Sequence, residues 1–493
     1  MPSYPIDTLS STGWNFDNSY GQFPDSFYTR VQPASVTAPK MAIINHVLGE
    51  QLGLNLAELP DTEAAQLFSG NTLPGGSDPL AQAYAGHQFG NFSMLGDGRA
   101  VLLGEQLTPS GQRFDIQLKG SGRTPYSRGG DGRAALGPIL REYIISEAMH
   151  ALGVPTTRSL AVVTTGDLVF RETALPGAIL TRVAASHIRI GTFQYVAARQ
   201  DLAELKQLAD HVIARHFPDA AASKQPYLAL LYAVMERQAS VVAAWMKVGF
   251  IHGVMNTDNI AISGETIDYG PCAFMDAYDP QTVFSSIDEQ GRYAYKNQPR
   301  LAHWNLARFA ETLLPLLDAD IEKSTDLAKE AIEAFGELFE QHWLATMRKK
   351  LGLFNEEAED GGLIGALLQW MHSTNADYTN SFRALTAENL LEQPAFGDRE
   401  FQDWHAKWQT RLLRNPKSLK SAHSLMLATN PAIIPRNHQV EAALAAASDQ
   451  ADYSVMHRLL AALEKPYSDT DEYAEYRNPP APTDRPYQTF CGT

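Results

Sequence analysis

Apolar and polar residues alternate in several stretches in the first half of the chain, as they do in strands that bury one face. The segments AVLLGEQL (100–107) and RFDIQLKG (113–120) flank a short turn of Pro, Ser and Gly, so they predict a β-hairpin. RSLAVVTTGDLVFRE (158–172) predicts a second hairpin that turns at Gly166, and AILTRVA (178–184) predicts a further strand. The first part of the chain is therefore predicted to be rich in β-sheet.

Other stretches repeat their apolar residues every three or four positions, which is typical of amphipathic helices. We predict helices at 38–53, 135–152, 201–217, 226–249, 300–318, 325–351 and 437–447. Residues 69–99 are dense in glycine and are predicted to form loops. A β-rich part followed by an α-rich part predicts an α+β fold or two lobes.

The charge balance limits the classes of partner. The 493 residues include 40 Lys and Arg against 56 Asp and Glu, a net charge of −16, which argues against a nucleic-acid binder but not against a local basic nucleotide pocket. No apolar run approaches the roughly 18 residues of a membrane span. The N-terminal residues lack the basic start and apolar core of a secretory signal. We therefore expect a cytoplasmic protein without nucleic-acid or membrane partners.

The stretch from His252 to Gly270 carries a candidate metal site. Asp258, Asn259 and Asp268 are oxygen donors, and the apolar run and glycine between them predict a hairpin that brings Asn259 beside Asp268. A carboxylate with an amide oxygen suits Mg²⁺, with phosphates and water as the other ligands. Protein kinases use H-R-D-x-x-x-x-N followed by D-F-G for this purpose. Here the histidine and Asn259 keep that spacing, and Asp268 begins D-Y-G.

One residue departs from the kinase pattern. Val254 stands where a kinase has its catalytic aspartate, and valine cannot accept a proton. Either the chain is catalytically inactive, or Asp258 acts as the base from another position. Asp258 and Asn259 could also merely build a turn, as such pairs often do. The histidine spacing and the D-Y-G triplet favour the metal site over the turn.

A lysine and a glutamate upstream suggest phosphate binding. Lys119 ends a predicted strand, and Glu142 lies on the predicted helix that follows, an arrangement similar to the kinase strand lysine and its helix glutamate. Glu147 on the same helix is a weaker candidate for the partner. Alone, the pair would be better interpreted as a solvated lysine and a surface glutamate, but the metal motif downstream favours the phosphate-binding role for Lys119.

Glycines and arginines complete the set of candidate phosphate contacts. Gly96, Gly98 and Arg99 precede a predicted strand, as a phosphate-covering loop should, although G-x-G alone has low specificity. Arg182 and Arg189 bracket the junction between the β-rich and α-rich parts, where guanidinium groups could bind phosphates. His87 and His187 show no spacing with other His or Cys residues that would suggest zinc, and we expect structural roles for them.

Three long motifs resemble the selenoprotein O family, also called the YdiU family, across nearly the whole chain. They are GHQFGNFSMLGDGRA (86–100), the segment 114–161 that begins FDIQLKGSGRTPYSRGGDGRA, and HGVMNTDNIAISGETIDYGPCAFMD (252–276). The resemblance implies a protein-kinase-like two-lobed fold with a flipped nucleotide. It also implies AMP transfer from ATP to Ser, Thr or Tyr hydroxyls of proteins with Mg²⁺, or UMP transfer from UTP with Mn²⁺. We accordingly divide the chain into an N-terminal extension (1–80), a β-rich N-lobe (81–190), a helical C-lobe with the metal site (191–350) and a helical C-terminal extension (351–493).

Residue roles follow from the resemblance. It implies that Asp258 is the base, that Asn259 and Asp268 bind the metal, and that Glu142 is the partner of the lysine. The implied nucleotide contacts are Gly96, Gly98, Arg99, Lys119, Asp131, Gly132, Arg182, Arg189 and Asp268. A γ-phosphate kinase and an inactive nucleotide-binding pseudokinase are the alternative functions, and we expect a monomer.

The chain has two cysteines, too few for a disulfide framework. Cys491 is the antepenultimate residue, where selenium-containing relatives carry selenocysteine, and Cys272 follows the D-Y-G triplet closely. A disulfide between them would tie the tail to the active-site region and could act as a redox switch. Two free thiols are the alternative, because stable disulfides are uncommon in the cytosol.

Overall fold

The computed structural model describes residues 12–481 and 487–490, and in it nearly all strands precede Ile190 while helices dominate afterwards. The strands are β1 (Tyr28–Arg30), β2 (Lys40–Ile44), β3 (Leu80–Gln82), β4 (Ala85–Gln88), β5 (Asn91–Met94), β6 (Ala100–Leu107), β7 (Arg113–Lys119), β8 (Ala134–Ala135), β9 (Arg158–Phe170), β10 (Ala174–Ala184), β11 (Phe250–Ile251) and β12 (Ala273–Phe274). This order confirms the predicted α+β class. The kinase-like lobes and the four segment boundaries stay predictions.

The helices follow the predicted positions closely in the middle of the chain. They are α1 (His46–Gln51), α2 (Asp61–Phe68), α3 (Leu136–Ala151), α4 (Ile190–Ala198), α5 (Leu202–His216), α6 (Pro226–Lys247), α7 (Gln298–Leu317), α8 (Ile321–Glu333), α9 (Phe335–Lys350), α10 (Asp360–Thr374), α11 (Tyr378–Ala384), α12 (Arg399–Leu412), α13 (Leu419–Thr429), α14 (Asn437–Gln450) and α15 (Ser454–Leu463). In the helical part, α6 packs against α7 and α9, while α14 and α15 return to pack on α3.

An antiparallel sheet with the order β1-β3-β6-β7-β10-β9-β2 forms the centre of the first part, and β8 adds to β10. Side chains alternate between its two faces. Leu118 and Val163 join a core with residues of α1 and α2, whereas Val162 and Leu180 join the core that contains α3. Because Leu118 faces α2, its neighbour Lys119 is directed to the opposite face, where α3 lies.

Two predictions near the N-terminus were wrong. The predicted helix at 38–53 is strand β2 followed by the short helix α1. Ile43 and Ile44 at the end of β2 are paired with β9. Asn45 then caps α1 by accepting a hydrogen bond from Leu48 N at 3.0 Å. The glycine-dense stretch 69–99 was predicted as loops but contains β3, β4 and β5. Phe89 and Gly90 both have positive φ, 50° and 89°, which is the geometry of a tight hairpin turn between β4 and β5.

Two further boundaries were misplaced. The hairpin turn predicted at Gly166 lies instead at residues 171–173, and strand β9 continues through Gly166. Gly166, with a φ of 77°, forms a bulge opposite Pro176–Ala178, where the register between β9 and β10 shifts. The predicted helix at 325–351 is two helices that meet at Ala334, since α8 packs mainly on α7 and α9 mainly on α6.

Candidate active site

A cavity of about 460 Å³ opens between the sheet and the helical part, and residues from each sequence-predicted motif line it. The predicted site residues in its wall are Gly98, Arg99, Lys119, Glu142, Arg182, Arg189, Asp258, Asn259 and Asp268. These residues are up to 170 positions apart in the sequence and come together through the sheet, α3 and the loop before β12.

Lys119 lies at the centre of a buried charged cluster. Its Nζ atom is 2.6 Å from Glu142 Oε2 and 2.9 Å from Asp268 Oδ1. Lys119 ends β7 and Glu142 projects from α3, so the pair joins the sheet to the helix that covers it. Glu147, the weaker candidate for this role, instead binds Arg158 at 2.6 Å.

Two arginines also contact Asp268, one at each carboxylate oxygen. Arg182 Nη1 is 2.6 Å from Asp268 Oδ1, and Arg189 Nη1 is 3.2 Å from Oδ2. Burial opposes ionisation of Asp268, but Lys119, Arg182 and Arg189 hold its pKa well below the usual range. Lys119, Arg182 and Arg189 thus place three positive charges in the wall of the cavity, which suits a polyanion such as a triphosphate.

The backbone at Asp268 is strained. Its φ is 61°, in the left-handed region that residues with a side chain rarely adopt. Such conformations persist where the surrounding contacts over-determine them, and here three cations fix the carboxylate. This carboxylate and Asn259 both line the cavity.

Asp258 is a buried carboxylate with unused bonding capacity. It is 7% exposed, its Oδ1 has no hydrogen-bond partner among the described residues, and its Oδ2 is 3.5 Å from Gln88 Nε2. Burial raises its pKa to about 6. A carboxylate with this pKa is ionised at neutral pH and yet a better proton acceptor than an exposed one, which suits a general base.

The segment around Asp258 is held by hydrogen bonds that sequence reasoning missed. Thr257 Oγ1 accepts from His87 N at 2.7 Å, and Asn256 Oδ1 accepts from Phe89 N at 3.1 Å. These bonds dock the β4–β5 hairpin on the loop. A Cβ atom at Gly86 would lie 2.2 Å from Asp258 Oδ1, so only glycine allows this close approach.

Asn259 and Asp268 line the same cavity and offer an amide oxygen and a carboxylate, the donor types of a divalent-cation site. The Asn259 amide nitrogen donates to Val254 O at 3.0 Å, so its side-chain oxygen is the atom available to a metal. Within the described ranges there is no group of three or more His, Cys, Asp or Glu residues that could hold a metal ion alone. An amide and a carboxylate are nevertheless a suitable set for Mg²⁺, which usually takes its other ligands from phosphates and water.

The loop before β6 supplies a carboxylate that was not singled out in the sequence. Asp97 is buried, and its Oδ2 accepts from Gln82 N and from Gln117 Nε2, both at 3.1 Å. Its Oδ1 is 4.0 Å from Arg189, and burial raises its pKa to about 6. The only signal in the sequence was its place between two glycines of a proposed phosphate loop.

Three predicted nucleotide contacts do not line the cavity. Gly96 packs against Tyr126, whose ring would be 2.4 Å from a Cβ atom there. Asp131 forms an ion pair with Arg171 at 2.8 Å. Gly132 has a φ of 68°, a left-handed backbone conformation that glycine adopts easily in the same loop. From this loop, Arg128 reaches the cavity instead.

The two histidines that we expected to be structural make protein contacts. His187 Nδ1 is 3.0 Å from Asp115 Oδ2, and burial lowers its pKa to about 4. His87 Nδ1 is 2.8 Å from Gln194 Nε2.

Comparison with known proteins shows the family of the chain. The sequence model of the family described as "Protein adenylyltransferase SelO" matches residues 11–464. The chain belongs to this family. A relative from Nitrosococcus oceani is 61% identical over 493 residues, the whole of both chains. One from Bacillus cytotoxicus is 63% identical over 482 residues, 98% of each chain. Both are named "Protein nucleotidyltransferase YdiU".

Thr489 and Phe490 of this SelO family member lie beside the cavity. Thr489 Oγ1 donates to Pro271 O at 2.8 Å, and Phe490 lines the cavity mouth. Cys272, next to Pro271, is buried, and burial raises its pKa to about 12. Cys491 lies outside the described residues. No helix in the described part of this family member is long and apolar enough to cross a membrane.

Proposed function

We propose that this protein transfers AMP from ATP to Ser, Thr or Tyr hydroxyls of other proteins and releases pyrophosphate. The observation that carries the proposal is the combination in one cavity of a base and a cationic cluster. Asp258 has an unpartnered oxygen and a pKa raised by burial to about 6, and the cations of Lys119, Arg182 and Arg189 surround Asp268 in the same wall. Family membership supports the same chemistry.

Each group has a role in the proposed reaction. The acceptor hydroxyl gives its proton to Asp258, its oxygen bonds to the α-phosphorus, and the bond between that phosphorus and the bridging oxygen breaks. Lys119, Arg182 and Arg189 bind the β- and γ-phosphates, so the charge that develops on pyrophosphate meets fixed cations. Arg99 and the backbone at Gly98 line the same wall and would contact the nucleotide. Asn259 and Asp268 would hold a divalent cation, which when bound neutralises phosphate charge.

Two alternatives make different demands on the same residues. A γ-phosphate kinase needs a base near position 254, and Val254 there offers no acceptor, although it does line the cavity. An inactive nucleotide-binding scaffold needs no base, so the buried and unpartnered oxygen of Asp258 would be an unexplained cost.

The position of the radiolabel in ATP separates the three functions. The protein is incubated with Mg²⁺, a mixture of serine-containing peptides and ATP labelled at either the α- or the γ-phosphate, with Lys119→Met as the matched blank. We expect label in protein or peptide from α-labelled ATP alone. Label from γ-labelled ATP alone would establish a kinase, and label from neither would establish the scaffold.

Several narrower predictions belong to this proposal. UTP with Mn²⁺ is the alternative nucleotide and metal pair, and the same assay with α-labelled UTP measures it. A monomeric state and a cytoplasmic location stay predictions.

We also propose that Cys272 and Cys491 pair under oxidising conditions. Thr489 binds Pro271 O, and two residues of chain reach roughly 7 Å, which supports a tail that passes near Cys272. Because burial raises the pKa of Cys272 to about 12, its thiol is a poor nucleophile and pairing should be slow. Peptide mapping of oxidised protein without reduction tests this, and finding only unlinked peptides would refute it.

A further inference from the structure

A second cavity adjoins the catalytic one. It has a volume of about 580 Å³ and shares Phe89 and Ile287 with the catalytic cavity. The rest of its wall comes from residues 288–292 and from the first turns of α7, which contribute Arg300 and Trp304. A chain lying in this second cavity would therefore run directly into the cavity that holds Asp258. We call it the side groove.

The side groove is rigidly connected to the catalytic loop. Asn256, two residues before Asp258, accepts hydrogen bonds at its Oδ1 from Phe89 N at 3.1 Å and from Tyr293 OH at 2.6 Å. The Asp288 carboxylate accepts from Arg292 N at 2.9 Å and from Tyr293 N at 2.8 Å, which fixes the segment on the other wall. A ligand held in the side groove thus has a defined position relative to the base.

Two arginines of the side groove are available to bind an anion. Arg292 and Arg300 line it, and neither forms an ion pair within the described residues. The Arg292 guanidinium lies 5.3 Å from the centre of the Trp304 ring. Asp288 and Glu289 also line the wall, but the Asp288 carboxylate accepts from backbone N–H groups, and within the described residues neither carboxylate pairs with either arginine.

The apolar part of the side groove is exposed. Phe89 is 40% exposed and Ile287 is 56% exposed, at the boundary shared with the catalytic cavity. Large apolar side chains beside a charged site are typical of surfaces that bind another molecule.

We propose that the side groove binds an extended segment of the acceptor protein, with an acidic side chain on Arg292 and Arg300 and an apolar side chain against Phe89 and Ile287. The hydroxyl residue that follows in this segment then reaches Asp258 through the shared boundary. This inference rests on the proposed function and adds a sequence preference for the acceptor: a carboxylate and a large apolar residue near the modified hydroxyl.

A positional-scanning peptide library with a single serine tests the preference. Each member is incubated with α-labelled ATP and Mg²⁺, and labelling is compared for wild type, Arg300→Glu, Arg292→Glu and the control Lys296→Glu. Lys296 is exposed on the same segment but does not line the side groove, so its reversal makes the same change in net charge.

We expect wild type and Lys296→Glu to favour peptides with Asp or Glu at one or two fixed distances from the serine. Arg300→Glu should raise the peptide KM about tenfold for these peptides, the effect of roughly 1.4 kcal/mol, and shift the preference towards Lys. The KM for ATP and labelling of peptides without charged flanks should stay unchanged.

The outcomes distinguish this inference from the proposed function. The same peptide preference in wild type and both arginine variants would overturn the side groove as the acceptor site while AMP transfer itself stands. Serine labelling of the protein itself without labelling of any peptide would likewise overturn it. No α-label in any protein or peptide would remove the proposed function and this inference together.

Discussion

Replacing the buried carboxylate of Asp97 with an amide should stabilise the protein in a pH-dependent way. Burial raises the pKa of Asp97 from 3.8 to about 6 in the folded protein. The folded state therefore binds this proton more tightly than the unfolded chain does. The stability that the group contributes is fully present below the unfolded pKa and is lost as the pH rises through about 6.

The size of the effect follows from the two pKa values. Raising a carboxyl pKa from 3.8 to about 6 corresponds to about 3 kcal/mol. In Asp97→Asn the amide oxygen can still accept from Gln82 N and Gln117, so the change in these bonds does not depend on pH. The unfolding free energy of Asp97→Asn relative to wild type should therefore rise by about 2 kcal/mol between roughly pH 4 and pH 7, because the unfolded carboxyl is already partly ionised at pH 4.

Urea unfolding of both proteins across this pH range measures the difference. Asp25→Asn is the control, because Asp25 has an almost fully exposed side chain and its replacement should leave the difference flat. A flat difference for Asp97→Asn, or one that falls as the pH rises, would refute the reasoning. A confirmed result would mean that the protein keeps a destabilising carboxylate beside Arg189, which points to a role in positioning that arginine.

Two further predictions concern the base. The pKa of about 6 at Asp258 predicts that kcat/KM for AMP transfer rises about tenfold per pH unit below pH 6 and levels off above it. Asp97→Asn should show the same pH dependence. If the rise of kcat/KM with pH disappeared in Asp97→Asn, the rise would have to be assigned to Asp97 and not to Asp258. Gly86→Ala should lower kcat about hundredfold without weakening ATP binding, because the new Cβ would lie 2.2 Å from Asp258 Oδ1 and displace it. Gly75→Ala, with open space around its Cβ, is the control, and equal kcat values in the two variants would contradict a positional requirement at Asp258.

Local patterns in the sequence predicted the parts of the site that depend on single elements. Lys119 at the end of an alternating strand and Glu142 one helix later were paired from their spacing, and they lie 2.6 Å apart. Asp258, Asn259 and Asp268 were grouped by their donor chemistry, and they share one cavity wall. These inferences worked because a strand, a turn and a short loop fix the relative positions of their residues.

Features that depend on tertiary packing could not be predicted in the same way. The β4–β5 hairpin was missed because its strands are short and glycine-rich, and its position comes from bonds to Asn256 and Thr257, far along the chain. Asp97 looked like a loop residue, whereas its burial results from contacts with β3 and β7. The turn expected at Gly166 is a bulge. Glycine is suited to both a turn and a bulge, and only the pairing of β9 with β10 determines which of the two forms.

The central claim is that Asp258 accepts the proton of a hydroxyl that attacks the α-phosphorus. The most direct test is the initial rate of labelling from α-labelled ATP by Asp258→Asn, with the ATP affinity of the same preparation measured by calorimetry. A general base contributes about a hundredfold or more, so we predict at least that loss in rate with an ATP Kd close to that of wild type. Labelling at the wild-type rate by Asp258→Asn would contradict the account.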